Sequence, residues 1–265
     1  MFEQLYAALP DAKAYLERIG FEGTEMKADL ESLDKAIYAH LHHVAFENLD
    51  TWSRGISPDM GIEYLFDKIV TRRRGGWCFE LNSLFHAFLK AVGFDCYMVI
   101  SHVMTNRDEI HPPAHCSIVV VLDGEKYFCD VGFGGSVPKG ALKFSGESRL
   151  GFHLEREGAY TKLYNEEQDT VALQFKDIPA LPVELVPLNY YISQLRTSPF
   201  RNMLHVNIRY PDGSASLVEN EFKLRRGGEK LDRQLELSEI PEVLEKYFFI
   251  CSENVHFRPM GPLDK

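Results

Sequence analysis

The sequence predicts an α+β fold laid out in three stretches, and three observations carry the prediction. Apolar residues at helical spacing dominate residues 1–95. From Phe94 onward the pattern changes to short runs of β-branched and aromatic residues parted by turn signals. Beyond Ser198-Pro199, strand-like runs and a closing helix make a smaller mixed unit. Helices followed by strands, rather than alternating with them, give an α+β layout instead of a βαβ array. No glycine-rich phosphate loop follows a strand and opens a helix, and no internal repeat, low-complexity tract or long linker interrupts the chain.

In the helical stretch, Tyr15, Leu16 and Ile19 end a short amphipathic segment with Gly20 placed as its C-terminal cap. Leu30, Leu33, Ile37, Leu41 and Val44 form a second stripe. Ser57-Pro58-Asp59 reads as a helix start, with a capping serine, proline at the first helical position and an acid in the first turn, leading into Ile62, Leu65, Phe66 and Ile69. The last helix carries Leu81, Leu84, Phe85, Phe88, Leu89 and Val92, and Gly93 closes it.

Strands are predicted at 97–100, 117–122 and 126–131, the last two joined by Asp123-Gly124, a strong hairpin signal. Further runs at 152–156, 160–164 and 171–175 suggest an antiparallel sheet or small barrel. Residues 177–188 carry three prolines and read as a connector, with a helix expected over 189–195. Strands at 204–210, 216–218 and 221–224 and a helix over 239–249 complete the chain.

Composition narrows the class. The chain has 265 residues, 45% of them apolar, enough for a sizeable core without covalent staples. Its five cysteines form no CxxC pair and no regular framework, which suits reduced thiols in a reducing compartment. No apolar run approaches the ~20 residues of a membrane helix, so a soluble, cytoplasmic protein is expected. The net charge of −10 opposes a broad nucleic-acid surface. The basic runs 72–74 and 223–226 are local, matching solvated or internally paired charges or a site for a small phosphate-bearing ligand.

The chemistry centres on Cys78, which follows Gly75-Gly76-Trp77 at the first turn of the last helix. Unpaired N–H groups there stabilise an anion, and the thiolate is the nucleophile. A cysteine nucleophile needs a base and a group that orients it. Among ten histidines, His115 stands out because it opens a strand after the stiff Pro112-Pro113 pair. Asp130 is an acid inside an apolar strand, costly unless paired. Symmetric pairing about Asp123-Gly124 sets residues near 117 opposite those near 130, making His115 and Asp130 neighbours. A zinc site built from Cys116, Cys129 and His115 is a rival, though it lacks the close paired spacings of such sites.

Arg74-Gly75-Gly76-Trp77-Cys78-Phe79-Glu80-Leu81-Asn82 resembles the cysteine motif of the arylamine N-acetyltransferases. Asp130-Val131-Gly132-Phe133-Gly134 resembles the stretch that holds the family's aspartate, and Phe46-Glu47-Asn48-Leu49 and Thr197-Ser198-Pro199 match two further segments. The resemblance implies a Cys78, His115, Asp130 triad. It implies an N-terminal helical bundle, a central antiparallel β-barrel and a C-terminal α/β lid, set here at 1–93, 94–188 and 189–265. It implies acetyl-CoA as donor, aromatic amines or hydrazines as acceptors, an aromatic pocket at Phe46 and Phe133, close backbone approach to the acetyl group or donor at Gly132 and Gly134, and an ion pair of Arg74 with Glu47. No metal, nucleic acid or membrane partner is expected, and the chain is expected as a monomer or small homo-oligomer. Two positions depart from the family pattern: Ala45 where proline is usual, and Ala114 before His115 where Thr or Ser is common. Three other readings share these residues: amide synthesis on a bound polyketide or another acyl donor in the same fold, hydrolysis by a protease-like triad, and a non-catalytic cleft that binds an aromatic ligand or partner.

Overall fold

A computed structural model describes residues 2–23, 25–104, 111–253 and 255–262. The N-terminal region is helical: α1 (Ala12–Arg18), α2 (Leu30–His43), a two-residue strand β1 (Phe46–Glu47), α3 (Leu49–Arg54), α4 (Ile62–Phe66) and α5 (Cys78–Ala91). Aspartates start the first two helices, Asp11 accepting from Ala14 N at 3.0 Å and Asp29 from Ser32 N at 2.8 Å. Gly20 and Gly93 end α1 and α5 in the left-handed region at φ 67° and 94°, as their positions in the sequence suggest. After α4 the helix widens into a π turn over Asp67–Thr71, which carries Lys68 and Ile69 into the interior.

A seven-stranded antiparallel sheet follows: β2 (Asp95–Val103), β3 (His115–Leu122), β4 (Glu125–Cys129), β5 (Leu142–Lys143), β6 (Phe152–Glu157), β7 (Tyr160–Asn165) and β8 (Thr170–Phe175). Its order β5-β4-β3-β2-β8-β7-β6 rolls into a nearly closed barrel. Asp123 and Gly124 both take positive φ, 51° and 79°, which sets the tight β3–β4 hairpin and its register of Leu122 with Glu125 and Ile118 with Cys129. Just beyond that pairing, Ser117 Oγ donates to Asp130 Oδ2.

The chain ends with α6 (Pro182–Gln194), α7 (Pro199–Asn202), β9 (His205–Tyr210), β10 (Gly213–Val218), β11 (Glu221–Arg226), β12 (Glu229–Gln234) and α8 (Ile240–Phe248). The second sheet runs β1-β9-β10-β11-β12, so β1, from the helical region, forms its edge against β9. Val206, Ile208, Leu217 and Phe222 of this sheet share a core with Leu244 and Phe248 of α8. No helix among the described residues is long and apolar enough to cross a membrane.

Several local readings of the sequence differ from the structure, and the short strands β1 and β5 were not expected. Ser57-Pro58 does not start a helix; α4 begins at Ile62. Asn189 of α6 donates instead to Ser57 Oγ and to Pro58 O, holding that segment extended, and Asp59 caps Gly61 N. The expected connector is helical from Pro182, because proline at the first helical position forfeits no hydrogen bond and Glu184 caps Leu181 N at 2.6 Å. Strand β12 shows no apolar alternation, being an exposed edge paired residue for residue with β11.

Candidate active site

Cys78 is the first residue of α5, and the loop before it is fixed by buried charge. Arg74 donates through Nε and Nη2 to Glu47 Oε1 at 3.0 and 2.7 Å, and Glu47 Oε2 caps Leu49 N. Lys68, from the π turn, reaches Glu80 Oε1 and Asp50 Oδ2, both at 2.8 Å. Glu80 Oε2 accepts from Trp77 N, closing the first turn of α5 around Cys78. Burial alone would neutralise these groups, yet Lys68 and Arg74 are held well above their ordinary values by the acids beside them. Asp50 is drawn below the usual carboxylate range by Lys68 and Arg74 despite its burial. Glu80 is pushed up to about 7 by burial, against the pull of Lys68. Backbone packing completes the clamp: Gly76 N donates to Ala45 O, and a Cβ on Gly75 would stand 2.2 Å from that same oxygen. Buried Arg18 adds three bonds, to the carbonyls of Ile69, His43 and Arg74.

His115 begins β3 and Asp130 directly follows β4, so the hairpin brings them together. His115 Nε2 lies 2.5 Å from Asp130 Oδ2, and both side chains are shut from solvent. The carboxylate accepts four bonds: Oδ2 from His115 and from Ser117 Oγ at 2.9 Å, Oδ1 from Asn82 Nδ2 at 3.1 Å and from Gly132 N at 2.9 Å. Burial favours the neutral ring of His115, but the charge and hydrogen bond of Asp130, aided by a hydrogen bond with Cys78, raise it to about 10. Because Nε2 is taken by Asp130, Nδ1 is the nitrogen left for Cys78.

Asn82 gave no signal as a site residue beyond its place in the cysteine motif. One turn beyond Cys78 on the same helix face, it donates to Cys116 O and Asp130 Oδ1 and accepts from Val131 N. It thereby fixes α5 to both strands. The periodicity of α5 places it on that face, which is the clue available from sequence.

A cleft of about 370 Å³ opens over Cys78 and His115. Phe46, Phe133, Phe200 and Ile192 make it largely apolar, and the Phe133 ring stands edge-on to His115 at 5.3 Å. Phe200, which lies beside the Thr197-Ser198-Pro199 segment, had no other signal in the sequence. Gly134 lines the cleft at φ 66°, and its missing side chain leaves room for the Phe46 ring, 2.8 Å from where a Cβ would sit. Gly132 lies outside the cleft lining: a Cβ there would stand 2.9 Å from Cys78 Cα, so what comes close is the main chain of Cys78 itself. Among the described residues, no group of three or more His, Cys, Asp or Glu is disposed to hold a metal ion.

A thiol at a helix start, an imidazole and a saturated buried carboxylate, floored beneath an aromatic cleft, form an arrangement suited to acyl transfer through sulfur. Comparison with known proteins agrees. The N-acetyltransferase family profile matches residues 29–255. Arylamine N-acetyltransferase 1 of Homo sapiens is 28% identical over 273 aligned residues, covering 91% of this chain and 94% of that protein. The arylamine N-acetyltransferase of Mycobacterium marinum, solved in complex with CoA, superposes with a TM-score of 0.81 at 26% identity over 91% of this chain and 93% of that one. A Bacillus cereus arylamine N-acetyltransferase, described as having a Cys-His-Glu catalytic triad, superposes with a TM-score of 0.84 at 26% identity over 91% and 98% of the two chains. The chain belongs to the arylamine N-acetyltransferase family.

Proposed function

We propose that this protein moves an acetyl group from acetyl-CoA to the nitrogen of an aromatic amine or hydrazine by a ping-pong reaction, with Cys78 as nucleophile, His115 as base and Asp130 as the group that orients it. One observation carries the reading: His115 lies 2.5 Å from a four-fold bonded, buried Asp130 carboxylate and shares with Cys78 the floor of an aromatic cleft. The CoA complex of the Mycobacterium marinum relative supports the donor. The Bacillus cereus relative supports a carboxylate in the third place, which this chain fills with aspartate.

His115 Nδ1 takes the Cys78 proton, giving a thiolate–imidazolium pair. The thiolate attacks the thioester carbon, and backbone N–H groups in the first turn of α5 receive the oxyanion. The carbon–sulfur bond to CoA breaks, the departing thiolate takes the proton from His115, and Cys78 carries the acetyl group. The amine then enters the cleft beside Phe46, Phe133 and Phe200, and its nitrogen attacks the acetyl-cysteine. His115, now neutral, accepts the amine proton as the Cys78 thiolate leaves and the acetamide departs. Five free cysteines suit a reducing, cytoplasmic setting for this chemistry.

Intact-protein mass spectrometry tests the reading. Brief mixing with acetyl-CoA adds a single acetyl group, an arylhydrazine removes it, and Cys78→Ala abolishes it. An acetyl adduct that survives in Cys78→Ala overturns the scheme.

A further inference from the structure

Beyond the cleft lining, two cations, Arg209 and Lys139, hold backbone carbonyls and make no ion pair among the described residues. Asn207 of β9 lines the cleft and donates to Gly134 O at 2.7 Å. Arg209 projects from the same face of β9 two residues on, about 7 Å along the strand, and is not among the residues lining the cleft. It donates through Nη2 to Gly135 O at 2.5 Å, so the pair pins loop 134–136, itself part of the cleft wall. Among the described residues Arg209 makes no other polar contact. Lys139, at the far end of the same loop, has only Tyr210 O at 3.5 Å.

The surroundings are unfavourable to both charges. Burial lowers the Arg209 guanidinium from its ordinary value. Lys139 is lowered first by burial and then by Arg209 itself. The acid that acts on Lys139 is Asp212, which is engaged with Arg226 at 3.5 Å. The charge of Lys139 is also felt by His42 of α2, whose ring burial keeps neutral. Deeper inside the molecule Lys68 and Arg74 share three acids, and Arg18 is satisfied by three carbonyls; Arg209 and Lys139 have one carbonyl each. In a chain of net charge −10, two half-buried cations left unmatched beside a reaction cleft are a site that an anion completes.

We propose that Arg209 and Lys139 seat the phosphate groups of the acyl donor, with the thioester arm running from them along loop 134–136 to Cys78. This rests on the acetyl-CoA reading above and assigns the end of the donor remote from the chemistry. The main chain of loop 134–136 is the track for the arm, and Asn207 and Arg209 keep that track in place.

Two measurements separate the seat from the reaction. The first is calorimetric titration with adenosine 3′,5′-bisphosphate, which bears phosphates but no acyl group. Wild type binds it, and Lys139→Ala and Arg209→Ala each weaken binding about tenfold. The second is the ratio of the Cys78 acetylation rate constants for acetyl-CoA and for S-acetylpantetheine, which lacks the nucleotide. Each substitution lowers that ratio about tenfold, and Lys139→Glu lowers it further. Damage to the loop alone slows both donors together and leaves the ratio intact. Unchanged bisphosphate affinity, or an unchanged ratio, overturns the proposal. Cation-dependent bisphosphate binding in a protein that neither donor acetylates sustains the seat and overturns the acetyl-transfer reading instead.

Discussion

Asp130→Asn tests the site at the level of single hydrogen bonds. Both oxygens of Asp130 receive two donors, from Asn82 and Gly132 on one side and from His115 and Ser117 on the other. An amide has one oxygen and one NH2, so either orientation sets the NH2 against two donors. Gly132 N and the Asn82 amide are fixed, whereas Ser117 can turn its hydroxyl toward Ser101 Oγ, 3.3 Å away. The NH2 therefore faces His115, which must accept through Nε2 and carry its proton on Nδ1. That is the wrong tautomer for taking a proton from Cys78. The loss of charge-assisted bonds costs about 2–4 kcal/mol of stability. The tautomer error costs about 10³ to 10⁴ in acetylation rate, the size seen where such a carboxylate is neutralised in other triads. Without the carboxylate, burial drives the His115 ring neutral, and Cys78 alkylation by iodoacetamide at pH 6 falls at least about tenfold. Urea unfolding, rapid-quench mass spectrometry and alkylation kinetics read the three effects. An Asp130→Asn variant that acetylates within about tenfold of wild type and alkylates normally at pH 6 would refute the assigned role.

Gly132→Ala forces a methyl group to 2.9 Å from Cys78 Cα and 3.0 Å from Asn82 Nδ2, atoms that cannot swing aside; a loss of about 1–3 kcal/mol with slower Cys78 alkylation is expected, and an unchanged urea midpoint contradicts it. Lys68→Met leaves Glu80 and Asp50 buried without their shared cation, so thermal melts should show about 3–5 kcal/mol lost, and a change under about 1 kcal/mol would show that the cluster does not brace the α5 start. His115 holds its proton to about 10 in the fold but releases it near 6.5 when unfolded. The folded state thus binds the extra proton between these values, so the stability it adds is complete below about pH 6.5 and is lost as pH climbs toward 10. Urea midpoints at pH 6, 8 and 10 should fall more steeply for wild type than for His115→Gln, and equal slopes would contradict the assigned ion pair.

What was legible in the sequence was local chemistry with a period or a fixed turn. The stripe from Leu81 to Val92 marks α5, and Asp123-Gly124 fixes a hairpin whose register brings His115 to Asp130. The strands that escaped notice are those whose pairing is decided elsewhere in the chain. Phe46–Glu47 is too short to show alternation, and Glu229–Gln234 is polar because it lies at an exposed edge. The prolines of residues 177–188 signal an extended connector, yet Pro182 falls where a helix tolerates it best. The periodicity of α5 gives the face of Asn82 but not its partner, and Ser117 carries no signal at all, because both roles exist only once Asp130 arrives between them. Arg209 and Lys139 lie far apart in the chain and carry no motif.

Strand β1 gives synthesis an order of events. Phe46 meets Gly76 on one side early, but its other side must wait for Asn207, and Asn48 accepts from His205 N across 157 residues of chain. The cysteine, histidine and aspartate all leave the ribosome long before that partner does. The growing chain therefore holds its reactive thiol beside a missing wall, with one side of β1 unpaired, until β9 emerges. A ribosome stalled between residues 130 and 205 would release a chain whose thiol chemistry lacks the β9 wall of its cleft.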